Sequence, residues 1–148
     1  LCGNAPIANT RLWSMQTVLS DYNCEGQARA IFRVLDTGGY LELIPLQLRL
    51  FVDVGLATDA EDALVWQHCQ DHGFLLLTGN RKTSDGEQSL ESTIRRLSTP
   101  DSLPVLTISN LRRVLTDPAY CRACALRLAE VTLNLEVYRG VQRLYLPG

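Results

Sequence analysis

Five acidic residues, Asp21, Asp62, Asp85, Glu87 and Glu91, have the types and spacing to carry chemistry in this 148-residue chain. A cluster of carboxylates with amide help is a hard, oxygen-rich site. It suits Mg²⁺ or Mn²⁺ rather than zinc. Such ions bridge phosphates and activate water for an in-line displacement. Asp21 follows the apolar run Thr17-Val18-Leu19-Ser20 and is followed by Tyr22-Asn23. Asn80, Arg81 and Lys82 follow a second run, Phe74 to Thr78, with Asp85 and Glu87 next and Glu91 one helical turn beyond Glu87. Each acid also has a plainer reading. Asp21 or Asn23 could be an N-cap, as could Asp59 and Asp62. Asp85-Gly86 reads as a turn. Glu87 and Glu91 read as a solvated helix face, with Glu91 paired to Arg95 at i, i+4.

The elements that must position these residues alternate between strand and helix. Residues 17–20 predict a buried strand, and 25–36 a helix with Ala28, Ile31, Phe32 and Leu35 on its inner face, stopped by Gly38-Gly39. Residues 41–44 predict a second strand, and 46–54 either strand or loop. A helix capped at Thr58 or Asp59 runs to about Asp71. Phe74–Thr78 is continuous and apolar, hence a strand covered on both faces. A helix over 87–97 turns Leu90, Ile94 and Leu97 inward. A strand at 105–108, helices at 109–116 and 118–136, and an edge strand at 143–146 complete the pattern. This alternation means an α/β fold: a three-layer α/β/α sandwich around a mainly parallel sheet, in one domain over 15–148. Residues 1–14 have no clear period and precede Met15, the only methionine; they are expected to be a leader. Ligands of such sheets bind beyond the carboxyl ends of the strands. That rule selects Asp21, Thr78, Asn80 and Arg81.

Composition narrows the function classes. Hydrophobic residues make up 46% of the chain, charged residues 20%, and the net charge is −2. A disordered chain would be poorer in apolar residues, and the apolar runs fall far short of the roughly 20 residues a membrane helix needs. Residues 1–94 carry 6 basic and 12 acidic residues, while 95–148 carry 8 basic and 4 acidic. Arginine supplies 13 of the 14 basic residues, and it suits phosphate. The pairs Arg95-Arg96 and Arg112-Arg113, with Arg122 and Arg127, read either as a phosphate-binding rim or as a solvated arginine face. Arg81 and Lys82 stand nearer the acids. Five cysteines without a visible signal peptide point to a reducing cytoplasm. Cys121-Arg-Ala-Cys124 would need His68, Cys69 or His72 to complete a zinc site; two half-buried small residues on a helix is the plainer account. No glycine-rich phosphate loop occurs, so no nucleotide cofactor is expected. His68 and His72 have no obvious nucleophilic partner.

The order Asp21-Tyr22-Asn23, Val54-Gly55-Leu56, Asp62 leading Leu64-Val65-Trp66, then Leu75-Leu76-Leu77-Thr78-Gly79-Asn80-Arg81 is similar to the small PIN-like families of prokaryotes. The resemblance covers about residues 16–97. It implies a Mg²⁺- or Mn²⁺-dependent nuclease, commonly a ribonuclease acting on single-stranded RNA and often a toxin–antitoxin component. An antitoxin or a second copy would then be the protein partner. Asp21 would be the first metal-binding carboxylate and Asp62 the second. At the third acidic position this chain has Asn80, and at the next Lys82. Asp85, Glu87 or Glu91 would have to supply the missing acid, with Asp85 the metal ligand. Asn23, Thr78, Asn80, Arg81, Lys82, Arg95 and Arg96 would contact substrate. Without the third acid, the same fold would bind RNA or a protein partner and not cleave. A flavodoxin-like or receiver-like domain is a third reading, since an acid after the first strand also suits a phosphoacceptor.

Overall fold

The computed structural model of the chain describes residues 15–79 and 89–148. Five short strands, β1 (Gln16–Ser20), β2 (Leu46–Arg49), β3 (Leu75–Thr78), β4 (Val105–Ile108) and β5 (Arg143–Leu146), form one sheet in the order β2-β1-β3-β4-β5. Every pairing is parallel. This is a doubly wound order, in which the chain reverses direction across the sheet between β1 and β3.

Helices cover both faces. One face carries α1 (Glu25–Thr37), α5 (Leu111–Thr116) and α6 (Pro118–Leu133); the other carries α2 (Phe51–Val54), α3 (Asp62–His72) and α4 (Leu90–Leu97). A last short helix, α7 (Leu135–Tyr138), leads towards β5. Strand alternation divides the apolar residues between the layers. Val18, Leu75, Leu77, Leu106 and Ile108 pack with Ile31, Leu35, Cys124 and Leu128. Leu19, Leu76 and Val105 pack with Val65, Trp66, Leu90 and Ile94. Among the described residues, no helix is long and apolar enough to cross a membrane.

The inner face of α1 is the one its spacing predicts, with Ala28, Ile31, Phe32 and Leu35 buried. It stops because Gly38 N–H turns back to the Val34 carbonyl and Gly39 takes φ +80°, a left-handed conformation that glycine adopts without strain. The strand expected at 41–44 is not there. Tyr40–Glu42 make a 3₁₀ turn, and the Leu43 and Ile44 N–H groups both reach back to the Tyr40 carbonyl. Ile44 is thus buried by a turn and Leu43 left exposed. The strand begins after Pro45, which lacks the N–H a ladder needs. Phe51 then opens a helix, because Asp53 Oδ2 accepts the Leu50 N–H at 2.8 Å.

Two other boundaries move. The third helix starts at Asp62, so neither Thr58 nor Asp59 caps it. The fourth starts at Leu90, where Ser89 accepts the Ser92 N–H at 3.0 Å. Leu90 and Ile94 point inward, but Leu97 is exposed because the helix ends at Ser98, beyond the edge of the core. The helices expected at 109–116 and 118–136 begin where Asn110 and Asp117 accept backbone N–H groups. Pro118 needs no N–H partner at the first helical position.

The final crossover, from β4 to β5, steps across the sheet in the same direction as those from β2 to β3 and from β3 to β4. Its helices α5 and α6 lie on the opposite face, beside α1. The connection therefore has the opposite hand to the other three, an arrangement that about one crossover in fifty shows.

Candidate functional site

Parallel strands bring all their carboxyl ends to one edge, and there the polar residues gather. Asp21 directly follows β1, and β3 ends in Thr78. The Asp21 N–H donates to the Leu77 carbonyl at 2.8 Å, so the ladder holds Asp21 one residue past its strand. This is the point between β1 and β3 where the chain changes direction, the ordinary ligand position of such sheets. Thr78 is fully buried, and its hydroxyl donates to Asp21 Oδ2 at 2.7 Å. Hydroxyl-to-carboxylate bonds this short are among the stronger ones. The contact fixes one oxygen of a half-buried carboxylate, and among the described residues Oδ1 has no donor.

The polar residues continue across the sheet on the face of α3 and α4. Thr78 pairs in register with Thr107 of β4, which is also fully buried. Arg143 at the start of β5 extends along that face, donating from Nη1 to Thr107 Oγ1. Its Nε and Nη2 donate to Glu91 Oε1 at 3.1 and 2.8 Å. The Arg143 side chain is 8% exposed and that of Glu91 is 28% exposed. Glu91 also approaches Arg95 at 3.6 Å. The result is a row running Asp21, Thr78, Thr107, Arg143, Glu91, from the end of β1 across β3, β4 and β5 to α4. Asp62, the first residue of α3, accepts the Leu90 N–H through Oδ2 at 3.0 Å, joining the starts of α3 and α4 at the same edge.

The expected site residues therefore separate. Asp21, Thr78, Asp62 and Glu91 stand at the carboxyl edge on one side of the sheet. Asn23 lies exposed in the 3₁₀ turn Tyr22–Cys24 just beyond Asp21. Arg95 and Arg96 sit in the last turn of α4, roughly 8–9 Å along the axis from Leu90, and Arg95 reaches back to Glu91. Asn80, Arg81, Lys82, Asp85 and Glu87 lie outside the described residues. Glu91 is not a free solvated acid, since two arginines hold it.

Thr107 and Arg143 are the members that sequence reasoning missed. The signal was present: a hydroxyl inside Val105-Leu106-Thr107-Ile108, and a base alternating with Leu144 and Leu146 on the opposite face. Periodicity alone could not give it a partner, because Glu91 lies 52 residues away.

The donor set suits a hard cation in kind, since Asp21 offers an unengaged carboxylate oxygen. Among the described residues, no three His, Cys, Asp or Glu side chains converge on one metal position. The acids expected to complete a shell, Asp85 and Glu87, lie outside that set.

Zinc at Cys121 and Cys124 is a different matter. Both cysteines are buried with α1 on one face of the sheet, while Cys69 is buried on the other. The sheet itself lies between the proposed ligands. His68 and His72 stack at 4.2 Å on α3, with partial burial and the neighbouring His72 holding His68 below the usual imidazole range. Cys24, beside Asp21, donates its S–H to the Leu77 carbonyl at 3.4 Å, and burial pushes its thiol up to about 12. It is a packed thiol and not a nucleophile. Comparison of the chain with protein-family models, curated proteins and solved structures gives no match.

Proposed function

We propose that the chain is a metal-dependent nuclease of PIN-like type that cleaves single-stranded RNA with Mg²⁺ or Mn²⁺. The observation that carries this reading is Asp21: a carboxylate at the β1/β3 reversal, one oxygen held by the buried Thr78 hydroxyl and the other without a donor among the described residues. Thr78 keeps the carboxylate in one orientation without neutralising it. Asp62 would be the second acid, approaching from the start of α3. A bound divalent ion would supply Lewis acidity and an activated water. The chain's own part is to aim the acids at the carboxyl edge, and to keep that edge rigid through the buried row from Thr78 to Glu91.

The experiment is RNA cleavage in Mn²⁺ by wild type and Asp21→Asn at equal protein concentration. Loss of at least a hundredfold in rate is expected. Equal cleavage by the two proteins would remove the reading.

A second reading is a module of the same fold that binds RNA or a protein partner without cleaving. It is favoured by Glu91 and Asp62, whose carboxylates already serve Arg143 and the Leu90 N–H. It predicts salt-dependent RNA binding and no cleavage in any divalent ion.

A further inference from the structure

Beside Asp21 lies a cavity of about 260 Å³, lined by Tyr22, Glu25, Phe51, Val52, Leu56 and Thr58 among others. We infer that it is a subsite for one unpaired nucleobase, with Tyr22 as the stacking residue; this rests on the ribonuclease reading above.

Four observations point there. Tyr22 directly follows Asp21, so the cavity it lines adjoins the carboxylate at which a divalent ion would hold a phosphate. That ring is 46% exposed, an unusual state for a large aromatic that the fold does not need for its core. Phe51, only 2% exposed, forms a fixed floor, with the two ring centroids 6.2 Å apart and the planes tilted by 38°. Val52 stands 80% exposed at the wall, although it is β-branched and apolar.

The cavity is thus mainly apolar, bounded by two aromatic rings, with Glu25 and Thr58 as its polar lining. Its size lies just under the range typical of drug-sized ligands, so it fits a single ring system. Glu25 settles which part of a nucleotide enters. An ionised carboxylate only accepts hydrogen bonds and repels phosphate. A base, which brings donors and no charge, meets no such barrier. Stacking on an aromatic face works for every base, because each has a π-face. A paired base could not enter, since both of its faces are already stacked in a duplex.

The test is fluorescence anisotropy of a fluorescein-labelled, single-stranded RNA decamer with the full chain in Ca²⁺, which fills an oxygen-ligand site in place of Mn²⁺, the strand being checked as intact on a gel. Tyr22→Ala is expected to raise Kd about tenfold, the usual size of one lost stack. Tyr22→Phe should stay within twofold of wild type. A decamer of abasic residues should bind wild type as weakly as Tyr22→Ala binds the parent RNA. Equal binding by Tyr22→Ala and wild type overturns the subsite. So does tight binding of the abasic strand, or no binding of RNA at all. Because the exposed ring contributes little to folding, matching thermal melts will separate a lost contact from a lost fold. If Tyr22-dependent binding holds while wild type fails to cleave in Mn²⁺, the subsite stands and the nuclease reading falls.

Discussion

Arg143 and Glu91 make the most deeply buried ion pair among the described residues. Arg143 is buried against the sheet with 8% of its side chain exposed, and among the described residues its three donor nitrogens meet Glu91 and Thr107. Taking a guanidinium out of water is costly, and removing one partner of a buried pair leaves the other uncompensated. Arg143→Met should therefore destabilise the fold by about 3 kcal/mol in urea denaturation. Replacing both, Glu91→Leu with Arg143→Met, should recover most of that loss, because well-packed apolar residues often match a buried ion pair. A double variant as unstable as the single one would show that the row matters for packing rather than charge. The same logic separates Thr78 from a plain strand residue. Its side chain is spent on Asp21, and valine in its place would keep the volume but drop the bond.

Where elements meet, one small residue decides the spacing. Gly79 follows β3 directly, and a Cβ built on it would stand 2.5 Å from Leu111 Cδ1 and 2.7 Å from Cγ. Leu111 opens α5, so the absence of a side chain at 79 lets that helix close over the end of β3. Gly79→Ala must push Leu111 aside at its branch point and not merely at a flexible tip. A loss of about 1–3 kcal/mol is expected in thermal or chemical unfolding, the range for overpacked cores. Unchanged stability would mean that α5 can shift freely, and the carboxyl edge with it. The caps in this region need no such precision: Asn110 and Asp117 each accept a backbone N–H at the start of α5 and α6.

Seen whole, the sheet is a partition. It separates Cys69 from Cys121 and Cys124, and it places the α4 arginines on one side and those of α5 and α6 on the other. The basic surplus of the last third of the chain is consequently not one surface. Arg95, Arg113, Arg127, Arg139 and Arg143 are each in an ion pair, three of them with acids of their own segment. Arg96, Arg112 and Arg122 are left outside those pairs. Burial also accounts for the thiols. Cys24 and Cys124 are pushed up to about 12, and Cys69 and Cys121 are raised as well, so each is protonated near neutral pH. Iodoacetamide at pH 8 should leave all four unmodified in the native protein and alkylate them in urea, as read by peptide mass. Fast native labelling of Cys121 or Cys124 would contradict the packing of α6 against α1.

The layers, the inner face of α1, Leu90 and Ile94 on that of α4, and the strands near 16–20, 75–78, 105–108 and 143–146 were legible in the amino-acid sequence. Burial imposes its period locally, so a few residues suffice to read it. Asp21 was legible for the same reason: it follows a buried strand, and parallel strands share a carboxyl edge. The 40–49 stretch was misread because apolar residues can be buried by a turn as well as by a strand, and Gly39 chose the turn. The pairing of Glu91 with Arg95 was legible from its i, i+4 spacing, but its tighter contact could not be read at all. Its partner, Arg143, is 52 residues away and reaches it only because β5 pairs with β4 beneath α4. Local patterns report which face a residue occupies. Which charge it meets there is decided by strand order, and strand order exists only in the folded sheet.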